Sequence, residues 1–403
     1  MADADDHLPP HDAEDMSARP RLGRRSFLAV LAAAAPVLAQ ANPAASPTLE
    51  GPMEPDPGLP VIIPSFRGPR SVAGMAEMRS EWAAFRRGYV AADGRVIDTA
   101  GGGVSHSEGQ GSALLFAAEA GDLESFERIL DWTRRSLGHR RDHLHSWRYV
   151  PSASVPVTDT NNATDGDILI AWGLQRAAER FGRPDFARLA ARIAGDIHDL
   201  CTREAGGRLM LLPGTRGFEK ADHLVVNPSY YIFPALLDFE ALVPGPQWRR
   251  LVADGLEVCC RQGGFGRWGL PADWIEVPRD GAPVRPAADR PARFSWDAVR
   301  VPMNLAWGRH SAEPMLRASA RFWAEPSHRG RVPAWVDLVS NQRAPYAGHA
   351  GVQAVALLAA SACEGGRAPA LPRVEQAGDY FGAALTLLAR MAWQDASMQR
   401  VVA

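Results

Sequence analysis

SEGQGSALLFAAEA, Ser107–Ala120, is followed almost at once by LESFERILDWTRRSL, Leu123–Leu137. The two stretches differ in kind. From 109 to 120, small and apolar residues cover nearly every face of a helix, and a helix apolar all round is a buried one. From 123 to 137, apolar residues recur at helical spacing opposite a stripe of Glu and Arg, which puts one face in water. The contrast repeats along the chain: 165–178 and 348–360 are of the first kind, 185–200 and 247–262 of the second. Buried and half-buried helices in alternation predict an all-α fold of two concentric rings, an inner barrel wrapped by an outer one. Helices are expected near 73–91, 109–120, 123–137, 165–182, 185–202, 229–243, 247–262, 297–308, 312–325, 348–363 and 374–395. Pro184-Asp185 is a helix start and Gly365-Gly366 a helix stop. Strand-like alternation is weak and confined to short pieces such as Arg208–Leu212. The loops 138–164, 203–228, 263–296 and 326–347 are too long for a simple bundle and rich enough in Trp, Asp, Asn and Pro to carry function.

The chain has 403 residues, 46% of them hydrophobic, so a large core is easily built. Its 44 basic and 46 acidic residues leave a formal charge of −2, which is no footprint for nucleic acid. The amino-terminal residues are not part of the fold. Arg24-Arg25-Ser26-Phe27-Leu28 leads into an apolar run that ends near Leu38, too short for a membrane span of roughly 20 residues. Ala39-Gln40-Ala41 is a small-x-small cleavage pattern. Residues 1–41 therefore read as a twin-arginine export signal behind a polar extension. Residues 42–68 read as a Pro-rich linker and 69–400 as one catalytic domain. The mature protein is expected in the periplasm or outside the cell, without a membrane span. Cys201, Cys259, Cys260 and Cys363 lack zinc-ligand spacing and read as buried small hydrophobes; their disulfide state stays open.

Three carboxylates stand at the mouths of inner-type helices. Glu108 opens the first, beside Gly109, a glycine that lets a ligand approach the backbone. Asp165 and Asp167 open the second within Asp159–Asp167, where Thr164 or Asn162 is a candidate cap. Capping needs fewer polar groups than are crowded there, which singles out Asp165. Asp297 opens a third, one turn before Arg300, an arginine suited to orienting it and keeping it ionised. Inner helices that alternate with outer ones all point the same way, so these three acids gather on one face. Paired carboxyls in an aromatic cleft are the chemistry of glycoside cleavage, one donating a proton and the other serving as base or nucleophile. Mutual repulsion and burial raise one pKa, as an acid needs.

Seven separated markers now form a pattern: Gly94-Arg95-Val96-Ile97-Asp98, Ser107-Glu108-Gly109-Gln110, Trp132-Thr133, Ala163-Thr164-Asp165-Gly166-Asp167, Leu211-Leu212-Pro213-Gly214, Asn227-Pro228-Ser229-Tyr230 and Asp297-Ala298-Val299-Arg300. With them the chain resembles glycoside hydrolase family 8 from about Trp82 to about Ala392, and within it the endoglucanases of bacterial cellulose-synthesis systems. Ser112 stands where an aromatic is frequent, and Gly173 and Gln175 where a small Ser/Ala and an aliphatic residue are usual. The resemblance implies an (α/α)6 barrel and inverting hydrolysis of a β-1,4-glucan. It implies Glu108 as general acid, Asp297 as general base, and Asp165 as the acid that binds and distorts the sugar at the cleavage point. An inverting pair leaves room for a water, at roughly 6.5–9.5 Å between carboxyls.

Flat pyranose faces call for aromatic platforms, with Trp147, Tyr230 and Trp296 first and Trp268, Trp274 and Trp335 behind them. Trp82, Trp132, Trp172, Trp248 and Trp393 lie on helices and read as core. His106 is either a cleft hydrogen-bonder or a local backbone contact. No cofactor, metal or nucleic acid is called for; the expected partners are β-1,4-glucan and a cellulose synthase complex. Chitosan, xylan or mixed-linkage glucan as substrate, or a non-catalytic glucan-binding role, are the competing readings.

Overall fold

The computed structural model describes residues 71–401 apart from Arg329 and Gly366, and the side chains only as far as Ala396. The export signal and linker expected over 1–68 lie outside the described residues. Eleven α-helices are described: α1 (Val72–Tyr89), α2 (Ser107–Ala120), α3 (Leu123–Leu137), α4 (Thr164–Phe181), α5 (Pro184–Cys201), α6 (Phe233–Asp238), α7 (Gln247–Gly255), α8 (Arg300–Trp307), α9 (Pro314–Trp323), α10 (Ala350–Cys363) and α11 (Tyr380–Val401).

Helices α2, α4, α6, α8, α10 and α11 form the inner ring, and α1, α3, α5, α7 and α9 lie outside it. Side-chain composition sorts them. In α2 every residue but Glu108 and Glu119 is buried, whereas α3 buries only one face, through Phe126, Ile129, Leu130, Trp132 and Leu137. This is the (α/α)6 architecture. The inner helices run parallel. Gly166 at the start of α4 lies against Ser107 and Glu108 at the start of α2, and Gly173 lies against Leu114 and Leu115 farther along. Gly351 of α10 likewise meets Gly382 and Leu385 of α11. At the opposite end of the ring, Arg176 of α4 pairs with Glu119 of α2 and Asp395 of α11, and Trp307 of α8 donates its indole N–H to Asp395 at 2.8 Å. The amino-terminal ends of α2, α4 and α8 therefore share one face.

The departures from expectation have local causes. The helix expected over 374–395 starts only at Tyr380, because Gly378 takes a left-handed φ of 78° behind Pro369 and Pro372. Among the described residues, 364–379 carry a single 3-10 turn, Val374–Gln376, where a sixth outer helix would lie. That turn docks on α1, with the Val374 amide donating to Glu81 at 2.8 Å. The stretch 229–243 breaks into a 3-10 turn at Pro228–Tyr230, the short α6 and a second 3-10 turn. Asn227 enforces the first break by accepting hydrogen bonds from the Ser229 amide and hydroxyl. Helix α7 continues as a wider π-helical turn over Leu256–Gln262. Five small antiparallel sheets sit in the loops; the largest has three strands in the order 223–226, 275–278, 285–286.

Trp82, Trp132, Trp172 and Trp248 are buried, and Trp393 is half-buried. Cys201, Cys259 and Cys260 are buried free thiols. Cys363 is free but exposed, contrary to expectation, because it lies on the last turn of α10 where the helix leaves the core.

Gly111 marks a close approach between α2 and α4. A Cβ on Gly111 would sit 2.7 Å from Leu169 Cβ and 2.8 Å from the Ile170 amide nitrogen. Overpacking of that kind costs about 1–3 kcal/mol. Gly111→Ala is expected to lower stability by that amount in a denaturant titration. Gly195→Ala on the outer helix α5, where a Cβ meets nothing within 4 Å, is expected to change it little or to stabilise by about 0.5–1 kcal/mol.

Candidate active site

The site is built on the shared amino-terminal face. A strand at Ser105–His106 pairs antiparallel with Arg148–Tyr149 and delivers the chain directly into α2. Buried Gln110 then locks the first turn of α2, accepting from the Val96 amide at 2.6 Å and donating to Thr133 at 2.9 Å. This ties three of the sequence markers together and fixes Glu108, the second residue of α2. Asp165 is the second residue of α4. Asp297 lies outside α8, in the turn 295–299 that precedes it, where Arg300 N bonds Asp297 O and Val301 N bonds Ala298 O.

One guanidinium joins all three acids. Arg300 Nη1 donates to Glu108 Oε1 at 2.5 Å and to Asp165 Oδ2 at 2.9 Å, while Nη2 donates to Asp297 Oδ1 at 2.7 Å. Side-chain exposure is 7% for Arg300 and 3% for Asp165, against 15% for Glu108 and 18% for Asp297. Arg300 and Asp165 thus form the floor, and Glu108 and Asp297 are the more exposed members of the cluster. The arginine reaches beyond the Asp297 pairing expected of it.

Three carboxyls against one guanidinium favour retention of a proton. Burial, and then repulsion from Glu108, raise Asp165 to about 7 despite its bond to Arg300. Burial works against the charge on Arg300, but Glu108, Asp165 and Asp297 hold it well above its usual range. Helix amino termini add a favourable field for the acids.

Tyr230 is buried beneath the acids, with the Arg300 guanidinium 5.8 Å from its ring centroid. Burial, then Asp165 and Asp297, push its phenol well above the ordinary value, so it stays neutral and able to donate. Trp296, next to Asp297, is half-buried and stacks on His349 at 5.7 Å. Trp147 stacks on His106 at 6.2 Å and donates its indole N–H to Asp159. The Ser107 amide bonds Trp147 O, which holds this ring one strand away from Glu108. His106 is buried, with Nδ1 4.0 Å from Asp98. Trp274 stacks on Phe218 and meets Tyr230 edge-on. Trp335 lies under Arg293, and Trp268 bonds Glu325, away from the acids.

Two details differ from expectation. Gly109 serves helix packing, since a Cβ there would collide with the Tyr380 hydroxyl of α11. Neither Thr164 nor Asn162 caps α4; Ala163 holds the cap position, and Thr164 instead donates to Leu212 O at 2.8 Å. Asp167 stands apart from the acid cluster. It accepts from the His145 amide at 2.9 Å and from Asn162 at 3.0 Å, and so moors the loop that carries Trp147. A fourth acid, Asp273, was not singled out in the sequence. It is wholly buried and contacts the turn around Asp297. The available signal was a carboxylate inside the apolar run Leu270-Pro271-Ala272-Asp273-Trp274-Ile275.

Residues 70–395 match the family model for glycosyl hydrolases family 8. The chain belongs to that family. A probable endoglucanase of Novacetimonas hansenii is 45% identical over 313 residues, covering 77% of this chain and 90% of the relative. An endoglucanase of Cellulomonas uda is 38% identical, covering 69% of this chain and 76% of the relative. The solved endo-beta-1,4-glucanase CMCax from Acetobacter xylinum superposes with a TM-score of 0.75 at 43% identity, over 80% of this chain and 99% of that one. As a family 8 member the protein is a glycoside hydrolase, and its acids and guanidinium occupy the one face on which the parallel inner helices begin.

Asp165 and Asp273 both bind a proton more tightly in the folded state than in the unfolded chain. The native state therefore holds excess protons between about pH 4 and pH 7, and their contribution to stability falls as pH rises through that window. Asp165→Asn removes one of these groups. Its Tm is expected to exceed that of the wild type by on the order of 3 °C at pH 8 and to match it near pH 4, read by calorimetry across pH.

Proposed function

We propose that this protein is an endo-acting, inverting β-1,4-glucanase that cleaves cellulose or a related β-glucan in the course of bacterial cellulose formation. One observation carries the reading: Glu108 and Asp297, the accessible acids, are held by opposite nitrogens of the same Arg300 fork. A proton donor and a water-activating base can share one site in this way, and inversion further requires room for that water, at roughly 6.5–9.5 Å between carboxyls. Endoglucanase names among relatives that cover most of this chain support the substrate class.

In the proposed cycle Glu108 carries the cluster's proton and gives it to the glycosidic oxygen as the bond breaks. Asp297 takes a proton from the water that attacks the anomeric carbon from the other face. Asp165, fixed on the floor by Arg300, accepts from a sugar hydroxyl and holds the ring in the distorted form that cleavage needs. Trp147 and Trp296 offer faces to flanking sugars, and Tyr230 donates from below. We extend the proposal to export through the amino-terminal twin-arginine signal, to a catalytic domain over 69–400, and to work beside a cellulose synthase in the periplasm. Among the described residues no helix is long and apolar enough to cross a membrane.

Reducing-end release from carboxymethylcellulose tests the assignment. Glu108→Gln and Asp297→Asn are each expected to lose about 10²–10⁴-fold in kcat, and near-normal turnover in either would overturn it. Preferred turnover of chitosan or xylan would overturn the cellulose reading. NMR of the first product is expected to show the α-anomer; a β-anomer would refute inversion.

A further inference from the structure

Asp273 has no part in the cycle above, yet its surroundings are unusual for a carboxylate. It is wholly buried in the bend between two short strands, with its chain neighbours Leu270, Ala272, Trp274 and Ile275 also buried. Carboxylates so placed persist only where fixed donors meet them. Every donor to Asp273 comes from the turn that holds Asp297. Oδ1 accepts from the Ser295 amide at 3.0 Å and from the Ala298 amide at 2.8 Å, and Oδ2 accepts from the Ser295 hydroxyl. Asp297 is thus bracketed by two backbone amides that end on one oxygen atom.

Asp273 is itself held firmly. Its amide donates to Arg293 O at 2.7 Å, and Arg293–Phe294 is a strand paired with Val336–Asp337. The turn 295–299 is therefore pinned from below by Asp273, while the Asp297 carboxylate is pinned from above by Arg300 Nη2. With both ends set, the direction of the carboxylate is set as well. Helix α8, expected from 297, begins only at Arg300, after this clamped turn.

We propose that Asp273 is the positioning residue for Asp297: it clamps the turn 295–299 so that the Asp297 carboxylate faces the attacking water. The proposal rests on Asp297 acting as the base. Its action runs through two hydrogen-bond acceptors and needs no negative charge. Burial and the nearby Asp297 carboxylate raise Asp273 to about 7, so a neutral side chain is compatible with the site.

This separates two substitutions. Asp273→Asn keeps an oxygen for both amides and offers an N–H to the Ser295 hydroxyl. Asp273→Ala removes all three contacts, and Asp273→Ser, with less cavity, leaves a hydroxyl too short to meet both amides. On carboxymethylcellulose, Ala and Ser are expected to lower kcat by about 100-fold and to raise KM by much less, because the base is misaimed directly while only one sugar platform, Trp296, shares its turn. Asn is expected to restore kcat to within about threefold of the wild type. Folded Ala or Ser variants with normal kcat would overturn the proposal, as would an Asn variant as impaired as Ala. Asp297→Asn, measured alongside, keeps the outcomes apart. If it retains activity, the base assignment fails; if it is inactive while the Asp273 series is flat, only the positioning role fails.

Discussion

The ion cluster around Arg300 is the constraint on which the rest of the molecule turns. Glu108, Asp165 and Asp297 come from three well-separated segments of the chain, and each would repel the others if brought together alone. A single guanidinium, 7% exposed, meets all three. Removing Arg300 would leave three clustered carboxyls without their counter-charge, so the cluster depends on that one residue. Burial, and then the imbalance of three acids to one base, raise the pKa of Asp165 to about 7.

That cluster forms only because the inner helices are parallel and close. Glycines at 111, 166 and 173 let α2 and α4 pack backbone against side-chain stem, which aligns their first turns and with them Glu108 and Asp165. At the opposite end of the ring a second arginine, Arg176, gathers Glu119 and Asp395. The two buried arginines hold the ring at both ends, and the outer helices supply the apolar faces that enclose it.

The connecting segments do more than join helices. The loop over 138–164 is moored by Asp167 through His145 and Asn162, and so brings Trp147 beside the entrance to α2. The segment around 270–298 lays Asp273 under Asp297. In both cases a buried carboxylate anchors backbone that carries a group facing the site. Such anchors are worth more than surface ion pairs, because water cannot replace the bonds they accept.

The alternation of SALLFAAEA-type and LESFERILDW-type helices was enough to read the double ring, because burial follows from which faces are apolar. The placing of Glu108, Asp165 and Asp297 on one face followed from the same alternation, since inner helices separated by outer ones share a direction. The reach of Arg300 to three acids was not legible. Neither was Asp273, whose partners are 22 and 25 residues away along the chain. Gly109 was misread for a related reason: its neighbour is Tyr380, about two thirds of the chain away. Helix faces and their order are local properties, written in periodicity. The breaks at Gly378 and Asn227 are local too, set by a left-handed glycine and by a side chain that bonds two residues along. Which acceptor meets which donor across the ring depends on contacts that exist only once the ring is closed.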